Sequence, residues 1–345
     1  MLRVTLLFAL LLLMSGCIDP INIKDKDQQR HLVIEGSFTN DPEHNYVRLS
    51  YAKPYNNTYM EYDTAAFVYV SSMDGTTRYV FAYDTATSRY YPIDGSAAYG
   101  EPGKAYMLHV SIGDSVYQSP WITMPRPIPV DKLHLEMDEQ LYAFKGDREK
   151  TRFPGYKVLV DYQDPAGEKN FLRWSFLVNY EVFTQPWYYI NRYGKPQPKD
   201  CCAKCLLTEK LDRFKVVDDR LTDGNRVINQ EVLFIPFYRY FGVKHKLKIY
   251  QYTVTEEAYE FYRIMEQQKE ATGTVFDPPP ARVVGNMYNP NNEHEQVIGF
   301  FDVSSVTAKE ITVLRNEINH GFLPYQFPDD CLELPGSTTV FPADW

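Results

Sequence analysis

From His31 onward the chain alternates apolar and polar residues in short runs, and that two-residue period commits it to β-structure. HLVIEGSF, YVRLSYA, AAFVYVSS, TRYVFAYD, SRYYPI, AYMLHVSI and SVYQSPWITM are each of strand length and are parted by turn residues. Asp74-Gly75 and Gly113-Asp114 fall between runs, where a tight hairpin requires residues that tolerate φ > 0. Seven such strands between residues 31 and 124 suit an immunoglobulin-like β-sandwich. Gly100-Glu101-Pro102-Gly103-Lys104-Ala105-Tyr106 reads as the corner into a late strand, with the Tyr106 hydroxyl bonded to backbone.

Prolines at alternate positions in Pro125-Arg126-Pro127-Ile128-Pro129 predict an extended connector, and a domain boundary is placed at 125–133. The remainder, 134–345, returns to strands in GYKVLVDYQ, NFLRWSFLVNYEVF, EVLFIPFYRYF, HKLKIYQYTV, QVIGFFDVSSV and EITVLR. One segment breaks the two-residue period. In TEEAYEFYRIMEQQKEAT, Ala258, Phe261, Tyr262 and Met265 share a helical face. Thr255 stands at the N-cap, with Glu256 and Glu257 in the first turn. The expected fold class is therefore all-β: an immunoglobulin-like sandwich, then a second β-sandwich-like domain carrying one amphipathic helix near 255–272.

The compartment is written at the N-terminus. Arg3 precedes an apolar run from Val4 to Met14, followed by Ser15, Gly16 and Cys17. That run falls short of the roughly 20 residues that span a bilayer and has the layout of a secretory signal. Leu13-Met14-Ser15-Gly16-Cys17 resembles a bacterial lipobox, in which residues 1–16 are removed and Cys17 is acylated. Several acyl chains on one cysteine hold a protein at a membrane. Residues 17–30 are polar and aperiodic and read as a flexible tether to the body. A net charge of −9 removes the electrostatic footprint of nucleic-acid binding.

An oxidising compartment then bears on the sulfur. Of 5 cysteines, Cys17 is assigned to lipid, leaving Cys201, Cys202, Cys205 and Cys331. An even number of thiols outside the cytosol points to two disulfides. A Cys201–Cys202 bridge is the least favoured pairing, because adjacent residues close an eight-membered ring under strain. The expectation is one local bridge to Cys205 and one long bridge to Cys331, closing about 130 residues and tying down the C-terminal tail. A tetrathiolate zinc site is the alternative, since Cys202-x-x-Cys205 has zinc-like spacing.

The sequence carries no GxSxG elbow, HExxH pair, phosphate-binding glycine loop or dinucleotide fingerprint, so neither a catalytic centre nor a cofactor is expected. Glu293-His294-Glu295 sits in a polar loop and reads as a solvated turn before it reads as a metal site. Asp218, Asp219 and Asp223 precede Gly224-Asn225 without the spacing of a calcium loop, and a β-turn accounts for them. Two aromatic runs exceed what alternation hides on one sheet face. Trp187, Tyr188 and Tyr189 form one, and Tyr238 and Tyr240 lie in the other, Phe234 to Phe241. Each is a partner or ligand surface or a strand buried on both faces.

The order of these features resembles the Bacteroidota outer-membrane lipoproteins grouped as domain of unknown function 4249. The resemblance rests on the lipobox and Cys17-Ile18-Asp19-Pro20-Ile21, LVIEGSFTN, Gly100 to Tyr106 and Thr123-Met124-Pro125. It continues through YQDPAGEKNFLRWSF, VTEEAYEFYRIM, FDPPPARVVGNMYN, GFFDVSSV and Pro342-Ala343-Asp344-Trp345. Such lipoproteins are commonly encoded beside TonB-dependent transporters. The resemblance implies a lipid-anchored, surface-exposed outer-membrane binding protein, an accessory to such a transporter in nutrient capture. The alternatives are a structural or adhesive surface lipoprotein and, last, a hydrolase with a site assembled from distant residues.

Overall fold

The computed structural model describes residues 31–52, 60–142, 150–237, 244–270, 283–314 and 327–345. Cys17 and the tether, with Tyr238 and Tyr240, lie outside them. The first stretch forms β1 (Leu32–Thr39), β2 (Tyr46–Tyr51), β3 (Glu61–Tyr62), β4 (Phe67–Ser72) and β5 (Arg78–Asp84). It continues with β6 (Arg89–Pro92), β7 (Ala105–Ile112), β8 (Ser115–Gln118) and β9 (Ile122–Thr123). The second stretch contributes β10 (Lys132–Tyr142), β11 (Thr151–Gln163), β12 (Phe171–Phe183), β13 (Lys204–Asp218) and β14 (Arg226–Pro236). Then come β15 (Lys244–Val254), helix α1 (Glu256–Glu270), β16 (Phe301–Leu314) and β17 (Ser337–Thr338). The protein is mostly β, as the alternation predicts.

The expected turns appear where glycine is required: Gly75 and Gly113 adopt φ of 70° and 56°. The corner tyrosine is also present, with Tyr106 Oη accepting the Glu101 N–H at 2.7 Å. The Thr255 hydroxyl accepts the Ala258 N–H at 3.2 Å and so caps α1.

Hydrogen bonding joins the two stretches into one sheet of fourteen strands, running β17-β13-β12-β15-β16-β1-β2-β6-β5-β4-β7-β8, with β3 beside β2 and β9 beside β7. The join is a parallel pair: Gly36, Ser37, Phe38 and Thr39 of β1 face Phe301, Asp302, Val303 and Ser304 of β16. Close approach explains Gly36, where a Cβ would stand 2.9 Å from Phe301 Cδ2. A separate sheet, β10-β11-β14, covers the inner face of β12 and β15.

Three cores follow. The first gathers Ile34, Phe38, Val47, Leu49, Val70, Tyr106 and Leu108, and it also takes Met287, Phe301 and Val303 from the far end of the chain. The second surrounds Trp174, which has no exposure and donates its indole N–H to Gln251 Oε1 at 2.8 Å. The third lies beneath α1, where Ala258 and Tyr259 meet Phe171, Val216, Tyr252, Val254 and Val306. The stretch 125–133 is anchored as well as extended. Ile128 donates its N–H to Thr253 Oγ1 at 3.0 Å and accepts from Gln251 Nε2 at 2.6 Å.

Two strands add to the expected set. β13 carries Glu209, Lys210, Arg213 and Lys215, and a register shift beside Ser175/Phe176 interrupts its period. β10 is an edge strand with no fully buried residue; Leu133 and Leu135, at alternate positions, rest half-buried against the second core, while Met137 and Leu141 are exposed. The segments QVIGFFDVSSV and EITVLR, read as two strands, meet in the single strand β16.

Candidate functional site

Beyond β12 the chain leaves the sheet at Thr184 and returns at Lys204, and this excursion is braced from the C-terminal tail. Cys205 opens β13 with its side chain fully buried, and it is disulfide-bonded to the buried Cys331, 126 residues away. The tail is stitched on by backbone as well: Gln185 N–H to Phe327 O at 2.8 Å and Cys331 N–H to Cys202 O at 3.0 Å. Lys199 closes the contact through Asp329 at 2.6 Å and Glu333 at 3.0 Å. Those two hydrogen-bonded carboxylates hold its pKa above the ordinary lysine value.

The remaining sulfurs correct the expected pairing, because Cys201 is bonded to Cys202. The bridge to Cys331 is taken by Cys205, whose inward position on β13 puts its Cα 5.8 Å from that of Cys331. Cys201 and Cys202 precede the strand and retain only each other. Ring closure alone favours a bridge to Cys205, but the strand geometry outweighs it. The tetrathiolate alternative does not form either, because the four sulfurs pair two and two. The carboxylate of Asp330 lies within 4.8 Å of the Cys201 and Cys202 sulfurs, but a disulfide supplies no thiolate ligand.

The braced excursion displays aromatic rings. Pro186 is buried and opens a single 3-10 turn, which swings Trp187 and Tyr188 outward at 51% and 66% exposure. Tyr189 is half-buried under the Lys199 ammonium, 4.5 Å from its ring centroid. Tyr193 (71%) and Ile190 (58%) extend the same lobe. The second aromatic run behaves differently: Phe234, Ile235 and Phe237 are buried.

Another cluster, not singled out from the sequence, occupies the outer face of the long sheet where its two stretches meet. Strand register sets Glu35 beside Arg48, Ser37 beside Asp302, Val306 beside Tyr252, Tyr252 beside Arg173, and Lys210 beside Leu177. α1 covers part of this face. The Arg173 guanidinium lies over the rings of Tyr252 and Tyr262, 3.9 and 4.6 Å from their centroids, and 3.6 Å from Asp302 Oδ2. The Arg89 guanidinium stacks 4.3 Å over Tyr46. His44 Nδ1 is 2.8 Å from the Tyr252 hydroxyl. Burial is the largest influence on His44 and, with Lys210, Arg173 and Lys248, outweighs Asp41 to lower its pKa to about 4. Burial likewise raises the pKa of Asp302 against the opposing pull of Arg173, Ser304 and Tyr262.

Carboxylates of the two acidic motifs make hydrogen bonds within the fold. Asp164, Asp223 and Asp219 accept the N–H groups of Gly224, Gly167 and Asn170 at 3.0, 2.8 and 2.6 Å, locking two turns together. In the Glu293-His294-Glu295 loop, Glu295 is folded back to accept from the Tyr117 hydroxyl at 2.8 Å and Asn289 Nδ2 at 2.6 Å. His294 lines a cavity of about 400 Å³ with His31, Tyr51 and Ser115.

No helix among the described residues is long and apolar enough to cross a membrane. No curated protein matches the chain. Among solved structures, one is described as the manganese lipoxygenase of Gaeumannomyces graminis with part of the zonadhesin of Komagataella pastoris. It aligns at 8% identity over 66% of this chain and 89% of that chain, and its TM-score of 0.13 is too low to inform the fold. The family described as "Domain of unknown function (DUF4249)" matches residues 18–310, which spans both sheet stretches, α1 and most of β16. The chain belongs to that family.

Proposed function

We propose that this protein is a lipid-anchored binding protein of the outer-membrane surface, and that it docks on a TonB-dependent transporter to deliver a captured solute. The observation that carries the reading is the aromatic lobe at 186–193, where Trp187, Tyr188 and Tyr193 are exposed on a segment braced to the tail by the Cys205–Cys331 disulfide. Large exposed rings on a rigid support suit a protein interface, because they bury much apolar area and lose little conformational entropy on docking. The N-terminal lipobox agrees with this placement: a short tether after Cys17 keeps the body beside a membrane-embedded partner. The role is binding rather than catalysis.

Isolation of the lipidated protein from native membranes tests the reading. A β-barrel transporter is expected to co-purify, and loss of that barrel from a Trp187→Ala, Tyr188→Ala variant ties the contact to the lobe. Purification without any barrel partner would remove the transporter role and leave a structural or adhesive surface protein.

A further inference from the structure

We propose that the outer face of the sheet beside α1 is a binding site for an oxyanion, the carboxylate or phosphate group of a small solute, with Arg173, His44, Lys210 and Arg89 as its donors. The donor set comes from four separated parts of the chain that the sheet register and the β1–β2 turn bring together.

Charge balance is the first support. Arg48 is committed to Glu35, through Nε at 2.6 Å and through a second guanidinium nitrogen. Asp41 accepts the Glu43 N–H through Oδ1 and keeps Oδ2 3.8 Å from His44 Nε2. Asp302 is the carboxylate beside Arg173. Among the described residues neither Lys210 nor Arg89 has a carboxylate partner, although each acts electrostatically on this cluster. Cations gathered without counter-charge repel one another, and an entering anion relieves that repulsion.

Unused hydrogen-bonding atoms are the second support. Arg173 Nε, His44 Nε2 and Asp302 Oδ1 are buried with no partner. A purely structural Arg173–Asp302 pair would close both prongs of the guanidinium on the carboxylate. Here the contact is a single 3.6 Å approach, and one atom on each side is left over. Leaving donors unmade is unfavourable, and an oxyanion satisfies the two nitrogens, Arg173 Nε and His44 Nε2; Asp302 Oδ1 is an acceptor and takes a hydroxyl of the solute instead. The His44 tautomer fits the same role. With Nδ1 accepting the Tyr252 hydroxyl proton, the ring proton sits on Nε2, a neutral donor that makes no hydrogen bond although Asp41 Oδ2 is 3.8 Å away.

Preorganisation is the third. Tyr252 and Tyr262 hold the Arg173 plane, and Tyr46 holds that of Arg89, so little side-chain freedom remains to be lost on binding. Lys210 is exposed and Arg89 half-buried, and they form the outer rim of the set beside Arg173, whose side chain is 12% exposed, and the buried Asp302. This site shares no residue with the aromatic lobe and stands whether or not the lobe meets a transporter.

Titration calorimetry on the detergent-solubilised mature protein tests the site, with sodium glucuronate and inorganic phosphate as probes. One anion per chain is expected to bind saturably; glucuronate alone assigns a carboxylate and phosphate alone a phosphate. An Arg89→Gln, Lys210→Gln variant removes two mutually repelling charges at the rim, so its unliganded melting temperature is expected to be no lower than the parent's while affinity falls roughly tenfold. The proposal is overturned if neither anion saturates, if sodium chloride at equal ionic strength reproduces the response, or if the rim variant binds like the parent.

Discussion

Cys205 and Cys331 stand 126 positions apart in the chain, yet their Cα atoms are 5.8 Å apart and a buried disulfide joins them. The bond fixes the C-terminal tail against the start of β13, beside the excursion that presents Trp187 and Tyr188. Stability and the proposed docking surface therefore share one covalent brace.

Removing that brace with Cys205→Ser and Cys331→Ser together is expected to lower unfolding stability by about 2–5 kcal/mol, the range for bonds that close long loops. Urea midpoints for parent and variant measure it. An unchanged midpoint would show that the tail is held by the Lys199 ion pairs and backbone contacts alone.

Non-reducing peptide mapping is expected to recover one peptide with an internal Cys201–Cys202 bond and one cross-linked pair joining Cys205 to Cys331. Recovery of a Cys202–Cys205 bond would contradict the strand geometry at the start of β13.

The lobe separates binding from folding. Trp187→Ala with Tyr188→Ala should move unfolding stability by no more than about 0.5 kcal/mol per site, as exposed substitutions do. Partner affinity should fall by about 2 kcal/mol or more, as for interface aromatics. Equal losses in both measurements would make the rings structural.

Trp174 offers the opposite case. Trp174→Ala is expected to cost about 3–5 kcal/mol, since it empties the second core. Trp174→Phe keeps most of the ring but leaves Gln251 Oε1 unpaired, at about 1–3 kcal/mol. Thermal unfolding of the three proteins should rank parent, Phe, Ala.

Acid weakens the fold through buried histidines. Burial lowers the His245 pKa from 6.5 to about 3, and its Nε2 lies 2.7 Å from the Tyr156 hydroxyl. His44 is lowered to about 4. In both, the unfolded chain takes up a proton at a higher pH than the folded chain does. The stability from the neutral ring is thus fully present above 6.5 and is lost as pH falls toward 4 and 3. Urea midpoints between pH 7 and 4.5 should decline in the parent and decline less steeply in His44→Gln. Parallel slopes would assign the acid sensitivity to other groups.

Much of this protein was legible in one dimension. Local rules act within a few residues, so alternation located the strands of the first stretch, Gly75 and Gly113 its turns, and Thr255 the helix start. They also placed Tyr106 against its own corner. The aromatic run at 187–189 was visible as an excess of rings over what alternation hides, although only burial separated it from Phe234, Ile235 and Phe237. β13 stayed hidden because Glu209, Lys210, Arg213 and Lys215 erase its apolar period.

What no local pattern contains is which distant strands meet. The parallel pairing of β1 with β16 depends on apolar surfaces from both ends of the chain being buried together. That pairing alone brings Asp302 beside Ser37 and sets Arg173, His44 and Arg89 around one face. The disulfide partners follow the same logic: the sequence supplied four thiols, but the inward facing of Cys205 on β13 chose Cys331. Short-range propensity determined the elements; long-range burial and strand register decided the site.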